Sequence, residues 1–383
     1  MQRQPRILFL QYANPASYPP LDHSTRLFAE HGFDVRVLGV APREARLVLP
    51  QTPGLRTDLL EPARTGWRQK THYARFVARA VAVVSRWKPD WIYLSDPIST
   101  PAGLAVTTVS KAKLVYHEHD APVLDMAALS GPMRRVMRAR RSVATRAVLC
   151  VVPNTERRRL LAASTGRDDA LVVWNTPLRR EVGGPRVGSE RPLTLVYQGS
   201  IVPARLPLAI IDALATLPAG TRLLIIGYPT AGHPDYVDDL LQRAAANGVV
   251  DRVDFAGELR REDLLTRMDE GHVGISVFPT DTRDANEQTM VGASNKPFEY
   301  LARGMALLVG QHPEWQQTYV APGYARSCEP SSVDSVVEGV RWFAERPADT
   351  RAMGEAGRHR VLDEWHYERA FAPVIDRLQQ STI

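Results

Sequence analysis

The chain has 383 residues, 44% hydrophobic and 23% charged, with a net charge of +6 and a sequence pI near 9.4. That length predicts two domains, each able to bury its own core, and the composition is that of a soluble globular protein. Two cysteines exclude a disulfide framework, and neither has the neighbouring Cys or His of a zinc site, so Cys150 and Cys328 are expected to be buried or idle thiols in a reducing cytoplasm.

The first apolar run, Ile7 to Leu10, is too short for a signal-peptide core or a membrane helix, and no other stretch approaches the roughly eighteen apolar residues of a span. The basic balance fits nucleic acid, an anionic membrane face or an anionic ligand. No nucleic-acid-binding motif accompanies it, and arginine so outnumbers lysine that part of the charge is compositional habit.

In chain order, Arg6–Gln11 is a predicted strand, Asp22–His31 a helix stopped by Gly32, and Val35–Gly39 a strand. A long helix over Tyr73–Trp87 ends at Lys88-Pro89. Strand Trp91–Leu94, a helix around Ala102–Ser110 and strand Lys113–Tyr116 follow, then helix Arg134–Arg146, strand Ala147–Val152 and strand Leu171–Trp174. This alternation predicts a parallel, doubly wound α/β sheet. Residues 177–192, rich in Pro, Gly and charge, read as a linker. The alternation then restarts. Strands are predicted at Leu193–Gln198, Arg222–Gly227, Val253–Ala256, Val273–Phe278 and Ala306–Val309. Helices are predicted at Leu208–Leu217, Asp235–Asn247, Arg261–Met268 and Lys296–Arg303. The expected domains are 1–178, completed by a C-terminal helix over 366–383, and 193–365. Two such halves facing a cleft suit a two-substrate enzyme, since ligands bind beyond the carboxyl ends of the strands.

The most informative segment is Ser294–Val309, SNKPFEYLARGMALLV. A helix N-terminus attracts a diphosphate, and a lysine one turn before a carboxylate suits phosphate and hydroxyl recognition together; a solvated surface pair is the plainer alternative. The segment resembles the donor site of retaining family 4 glycosyltransferases, glycosyl transferases group 1 of GT-B architecture. The resemblance implies that Glu299 binds the ribose hydroxyls and that Asn295 and Lys296 lie near the sugar and phosphates. Many relatives carry a second glutamate where this chain has Val291, so backbone amides around Met290–Ala293 are expected to contact the sugar instead, with Ala293 among the donor contacts. Gln198–Pro207, QGSIVPARLP, resembles the family's strand-loop: Gly199 matches its glycine and Arg205 its diphosphate-clamping lysine, while Ser200 replaces an arginine. Val253–Leu259 resembles the strand that holds the nucleotide base, with Leu259 and Arg260 flanking it.

In the first half, VYHEHD at Val115–Asp120 resembles the strand end where a histidine and an acid face the cleft. His119 and Asp120 match that pair, His119 toward the sugar or acceptor. His117 and Glu118 are neighbours without an implied role. In an extended segment His117 and His119 share a face, which also raises a metal site; none is expected, because enzymes of this architecture need none. The loop Asn14–Asp22 supplies acceptor candidates Asn14, Tyr18 and His23, with Asp120 added to them. The tail, Gly357–Ile383, looks like the family's, whose last helix crosses back to the first domain. Finally, Arg134, Arg135, Arg138, Arg140, Arg141 and Arg146 crowd one helix with no acid between Met126 and Thr155. Such a helix is either a solvated face or one that lies on anionic lipid.

The resemblance thus implies a metal-independent, retaining hexosyltransferase-like enzyme of glycan or natural-product biosynthesis. It would move a sugar from a UDP- or GDP-sugar to a glycan, lipid-linked or small-molecule hydroxyl. It needs no cofactor, binds no nucleic acid, and works in the cytoplasm or at a membrane surface. The rival is a catalytically inactive GT-B protein that binds a nucleotide sugar or a partner enzyme, for which Val291 and Ser200 argue. A sugar-nucleotide epimerase of the same architecture is a lesser alternative. A dehydrogenase is discounted, because the first turn, QYANPAS, has no glycine.

Overall fold

The structure, a computed structural model, describes residues 3–42, 49, 52–63, 66–122, 126–127, 129–186, 192–282 and 284–381. It divides into two compact units: Met1–Asn175 with Tyr367–Ile383, and Thr176–His366.

Unit 1 runs β1 (Arg6–Leu10), α1 (Pro19–Glu30), β2 (Asp34–Val40), β3 (Leu55–Leu60), α2 (Trp67–Trp87), β4 (Trp91–Ser95), α3 (Asp96–Thr107), β5 (Lys113–His117), α4 (Gly131–Arg146), β6 (Leu149–Val152), α5 (Thr155–Thr165) and β7 (Leu171–Val172). The sheet order is β3-β2-β1-β4-β5-β6-β7, all parallel, with the order reversing between β1 and β4. Strands β1, β4, β5 and β6 are almost wholly buried, which is why they read as unbroken apolar runs. Prolines at its first two positions start α1. Helix α5 is capped by the Asn154 side chain, which accepts the Arg157 N–H at 2.8 Å, and is closed by left-handed Gly166. Sequence patterning missed α5 because two of its three buried residues are Arg157 and Thr165, so no apolar stripe exists to see. It also missed β3, an edge strand reading LRTDLL.

Unit 2 runs β8 (Thr194–Ile201), α6 (Leu208–Thr216), β9 (Arg222–Pro229), α7 (Tyr236–Ala246), β10 (Val253–Gly257), α8 (Arg261–Met268), β11 (Val273–Ser276), α9 (Ala285–Gln288), α10 (Asn295–Ala302), β12 (Ala306–Gly310), α11 (Pro313–Trp315), β13 (Ala325–Cys328), α12 (Val333–Glu345) and α13 (Pro347–Asp363). Its parallel sheet has the order β10-β9-β8-β11-β12-β13, reversing between β8 and β11. A last helix, α14 (Tyr367–Gln380), belongs to unit 1 and packs on α1: Tyr367 OH lies 2.8 Å from Ser24 Oγ, and the Phe371 and Phe28 rings are 5.4 Å apart. Cys150 and Cys328 are both buried, in β6 and β13. No helix is long and apolar enough to cross a membrane among the described residues.

The segment read as a linker is partly built into unit 2. Gly183 N–H bonds the Ala302 carbonyl at 2.9 Å, and Arg186 donates through its backbone N–H to Glu355 (3.0 Å) and through Nε to the Arg303 carbonyl (2.6 Å). Its remainder, 187–191, lies outside the described residues.

Close backbone approach fixes the end of β8. Gly199 pairs with Gly227 of β9, and a β-carbon on Gly227, whose φ is +150°, would sit 1.8 Å from the Gly199 carbonyl oxygen. No side chain can yield there, because the obstacle is backbone. Gly227→Ala is expected to destabilise unit 2 by about 3 kcal/mol, the upper range for overpacking, read as a lower midpoint in urea unfolding.

Candidate active site

Both sheets reverse strand order beside a set of buried polar groups, which is where doubly wound sheets hold ligands.

In unit 2, β8 delivers Gln198, Gly199 and Ser200, and α10 begins opposite them. The turn before α10 closes tightly: the Ala293 and Ser294 N–H groups both donate to the Met290 carbonyl, at 3.1 and 2.8 Å. The Ala293 amide thus has a partner inside the turn, and Val291 is buried. The Ser294 side chain does not cap the helix, so the first-turn amides keep their anion-attracting character. Asn295 Oδ1 is buried with no hydrogen-bond partner among the described residues.

Lys296 is buried directly over Gly199, where a β-carbon would lie 3.0 Å from the Lys296 Cε, and its Nζ is 5.6 Å from the Tyr197 ring centre. Burial, then the nearby charge of Arg205, push its pKa down to about 7, against the pull of Glu299. Arg205 Nη1 donates to Ser200 Oγ at 2.6 Å, and its guanidinium carbon lies 5.7 Å from the Phe278 ring centre. Ser200 therefore tethers the Arg205 guanidinium. Glu299 is 2% exposed and accepts from Gln198 Nε2 and Arg261 Nη1. Arg261 also forks onto Glu181, with Nε to Oε1 at 2.9 Å and Nη2 to Oε2 at 3.1 Å. Burial works against its charge, but the two carboxylates outweigh burial and hold its pKa above the ordinary value.

Leu259 is half-buried two residues beyond the end of β10. Arg260 is exposed and pairs with Asp263 at 2.9 Å, so it lies along α8, and the inward cation is its neighbour Arg261. Sequence reading missed Arg261, Gln198 and Glu181.

In unit 1, the register Leu10↔Leu94 and Ser95↔His117 sets Gln11, Ser95 and His117 in one row across β1, β4 and β5. All three are buried, and Gln11 Oε1, Ser95 Oγ, His117 Nε2 and both ring nitrogens of His119 lack a hydrogen-bond partner among the described residues. The two histidine rings lie 3.9 Å apart, as expected for side chains on one face. Tyr93 OH is 2.6 Å from His117 Nδ1. Burial lowers the His119 pKa to about 4 and drives that of His117 well down, so both rings are neutral near pH 7, each with one donor and one acceptor. Asp96, unforeseen from sequence, adopts left-handed backbone at φ 62° and accepts the His119 N–H at 2.8 Å. Burial, then the charge of Asp120, raise its pKa to about 7.

Tyr18 stands near His119, ring centres 5.9 Å apart. Asn14 accepts the Ala16 N–H at 3.2 Å and so shapes its own turn. His23, expected to face an acceptor, is buried, its ring 5.2 Å from that of Tyr367 of α14. Asp120 is exposed and pairs with buried Arg157 at 3.2 Å. Glu118 turns to the opposite face, where Arg140 Nη2 meets it at 2.7 Å. Among the described residues no three His, Cys, Asp or Glu side chains form a metal-holding group. That pairing also corrects the arginine-rich helix: Arg140 points into the core of unit 1, while Arg134, Arg135, Arg138, Arg141 and Arg146 are exposed.

Residues 207–376 match a family model described as glycosyl transferase-like. That match covers most of unit 2 and runs into α14. Whole-chain likeness to solved structures adds the architecture. Anabaena HepE in complex with UDP and glucose aligns with a TM-score of 0.73 at 16% identity, covering 98% of this chain and 100% of that one. Sucrose-phosphate synthase from Thermosynechococcus elongatus gives 0.73 at 16%, covering 99% of each. An α,α-trehalose-phosphate synthase (UDP-forming) from Burkholderia vietnamiensis gives 0.66 at 11%, covering 98% and 100%. At such identities these likenesses establish the fold, which is GT-B. No curated protein matches the chain in sequence.

Proposed function

We propose that this protein transfers a sugar from a nucleoside-diphosphate sugar to a hydroxyl acceptor with retention of configuration. The observation that carries the reading is the convergence of Arg205, Lys296 and the start of α10 at the end of β8, with the carboxylate of Glu299 one helical turn away. Two cations and open helix amides suit a diphosphate, and an inward carboxylate suits ribose hydroxyls. That HepE has been seen with UDP and glucose, and that a neighbouring synthase is UDP-forming, supports a uridine nucleotide as the first donor to try.

In the reaction the bond between the sugar's anomeric carbon and the phosphate oxygen breaks, and one to the acceptor oxygen forms on the same face. The hydroxyl proton passes to a phosphate oxygen of the leaving group, so no protein base is required. Arg205 and Lys296 stabilise the charge that grows on the diphosphate. The row Gln11, Ser95, His117 and the His119 ring is uncharged and keeps polar atoms without partners among the described residues, which fits hydroxyl-rich ligands, with His119 assigned to the transferred sugar or the acceptor.

A thermal-shift screen of UDP, GDP and their sugars tests the reading, since a ligand at 100 times its Kd adds about 2.7 kcal/mol of stability. Turnover of the stabilising donor is expected to persist in excess chelator, because protein cations supply the needed charge. Loss of turnover in EDTA with recovery on manganese would refute metal independence. Stabilisation without turnover of any donor would favour the inactive binder.

The exposed arginines of α4 fit an anionic lipid surface, at about 1 kcal/mol for each residue near it. The protein is expected to pellet with phosphatidylglycerol vesicles at low salt and not at 1 M, where screening shortens to about 3 Å. Arg138→Glu with Arg141→Glu should reduce pelleting. Wild type that stays in the supernatant at low salt would make that helix a solvated face.

A further inference from the structure

Both oxygens of Glu299 are already in use. Arg261 Nη1 donates to Oε1 and Gln198 Nε2 to Oε2. Arg261 is itself held from behind by Glu181, which it grips through Nε and Nη2. Glu181 in turn is fixed: its Oε2 accepts the Leu178 N–H at 2.9 Å, and its carbonyl accepts from Arg303 Nη1 at 3.1 Å. Glu299 is therefore the end of a braced chain, Glu181–Arg261–Glu299, whose members are 3% to 21% exposed at the side chain.

An ionised carboxylate offers about two acceptor positions on each oxygen. One on each is filled here, so one on each is left, in a plane that Arg261 Nη1 and Gln198 Nε2 fix. Two neighbouring hydroxyls fit two such positions, and a single hydroxyl leaves one of them empty.

We propose that Arg261 is a positioning residue that braces Glu299 from Glu181 and thereby makes the site select ribose, with its adjacent 2′ and 3′ hydroxyls, over 2′-deoxyribose. The inference rests on the reading of this site as one for a nucleoside diphosphate. Without Arg261, the Glu299 carboxylate loses its cation and its fixed plane, and it can turn to satisfy one hydroxyl as well as two. A ligand lacking the 2′ hydroxyl then gives up little.

Calorimetric titration of UDP and 2′-deoxy-UDP, and of GDP and 2′-deoxy-GDP, into wild type, Arg261→Met and Arg261→Lys tests this. Wild type should prefer the ribonucleotide by about tenfold or more, the worth of a hydrogen bond to a charged group. Arg261→Met should bring the ratio close to one by weakening the ribonucleotide, and Arg261→Lys, which reaches one carboxylate at a time, should fall between. A general loosening of the pocket would weaken both nucleotides alike and leave the ratio unchanged. Melting curves establish that the variants fold; if Arg261→Met does not, Arg261→Lys carries the comparison. An unchanged ratio in the folded variants overturns the inference while sparing the donor assignment, as does a wild type that binds both nucleotides equally. Wild type that binds no nucleoside diphosphate overturns both.

Discussion

Arg205→Ala combined with Lys296→Ala is expected to lower kcat by about a thousandfold or more, while circular dichroism reports an unchanged fold. Removing a single preorganised charge-stabilising group from an active site costs about 10²–10³ in rate, and here both cations near the proposed diphosphate go together. Neither holds the fold: Arg205 has Ser200 Oγ as its hydrogen-bond partner, and Lys296 is buried at a cost that its depressed pKa of about 7 records. That pKa gives the same site a pH signature. A bound diphosphate favours the charged lysine, so above pH 7 binding takes up a proton and affinity falls as pH rises, by up to about tenfold per unit. Stability of the unliganded protein moves the other way. Between pH 7 and the ordinary lysine value of 10.5, the unfolded chain carries more protons than the folded one, so folding gains with pH. Calorimetry at pH 6, 7 and 8 checks the first effect, and its persistence in Lys296→Ala would assign the titration elsewhere.

Glu299→Ala is expected to weaken nucleoside-diphosphate binding by about a hundredfold or more, the loss of two charge-assisted hydrogen bonds. Its cost to the fold should be modest for a buried ion-pair member, because Arg261 keeps its bidentate hold on Glu181 and no cation is stranded. Glu299→Gln keeps the shape and removes the charge, and should lie between. Unchanged affinity in Glu299→Ala, measured by calorimetry on folded protein, would remove the ribose assignment.

Helix α10 was readable to within one residue at each end, because its apolar positions and the strand after it are periodic and its polar start is compact. Arg261 was not. Whether Arg260 or its neighbour turns inward depends on one step around the axis of α8 and on how that helix docks beside α10, and neither leaves a mark in composition. Two inward arginines misled in opposite ways. Arg157 erased the apolar stripe of α5, and Arg140 inflated the charged face of α4. Asp96 was hidden for another reason. Pro101 argued against a helix running through it, yet α3 begins at Asp96 with Pro97 in its first turn and takes Pro101 inside it. The pairing of Ser95 with His117 is a matter of register between strands, which no local pattern specifies.

Unit 1 is discontinuous in the chain, and this has a consequence for synthesis. Strands and helices up to Asn175 emerge first, yet the face of α1 that receives Tyr367 and Phe371 stays uncovered until the last helix leaves the ribosome. Unit 2 is contiguous and holds its own entry segment through Gly183 and Arg186, so it has every partner it needs earlier. The usual order, in which the N-terminal domain finishes first during translation, is thus reversed. A released chain truncated before Tyr367 should carry a protease-resistant unit 2 behind a unit 1 that is still open to cleavage.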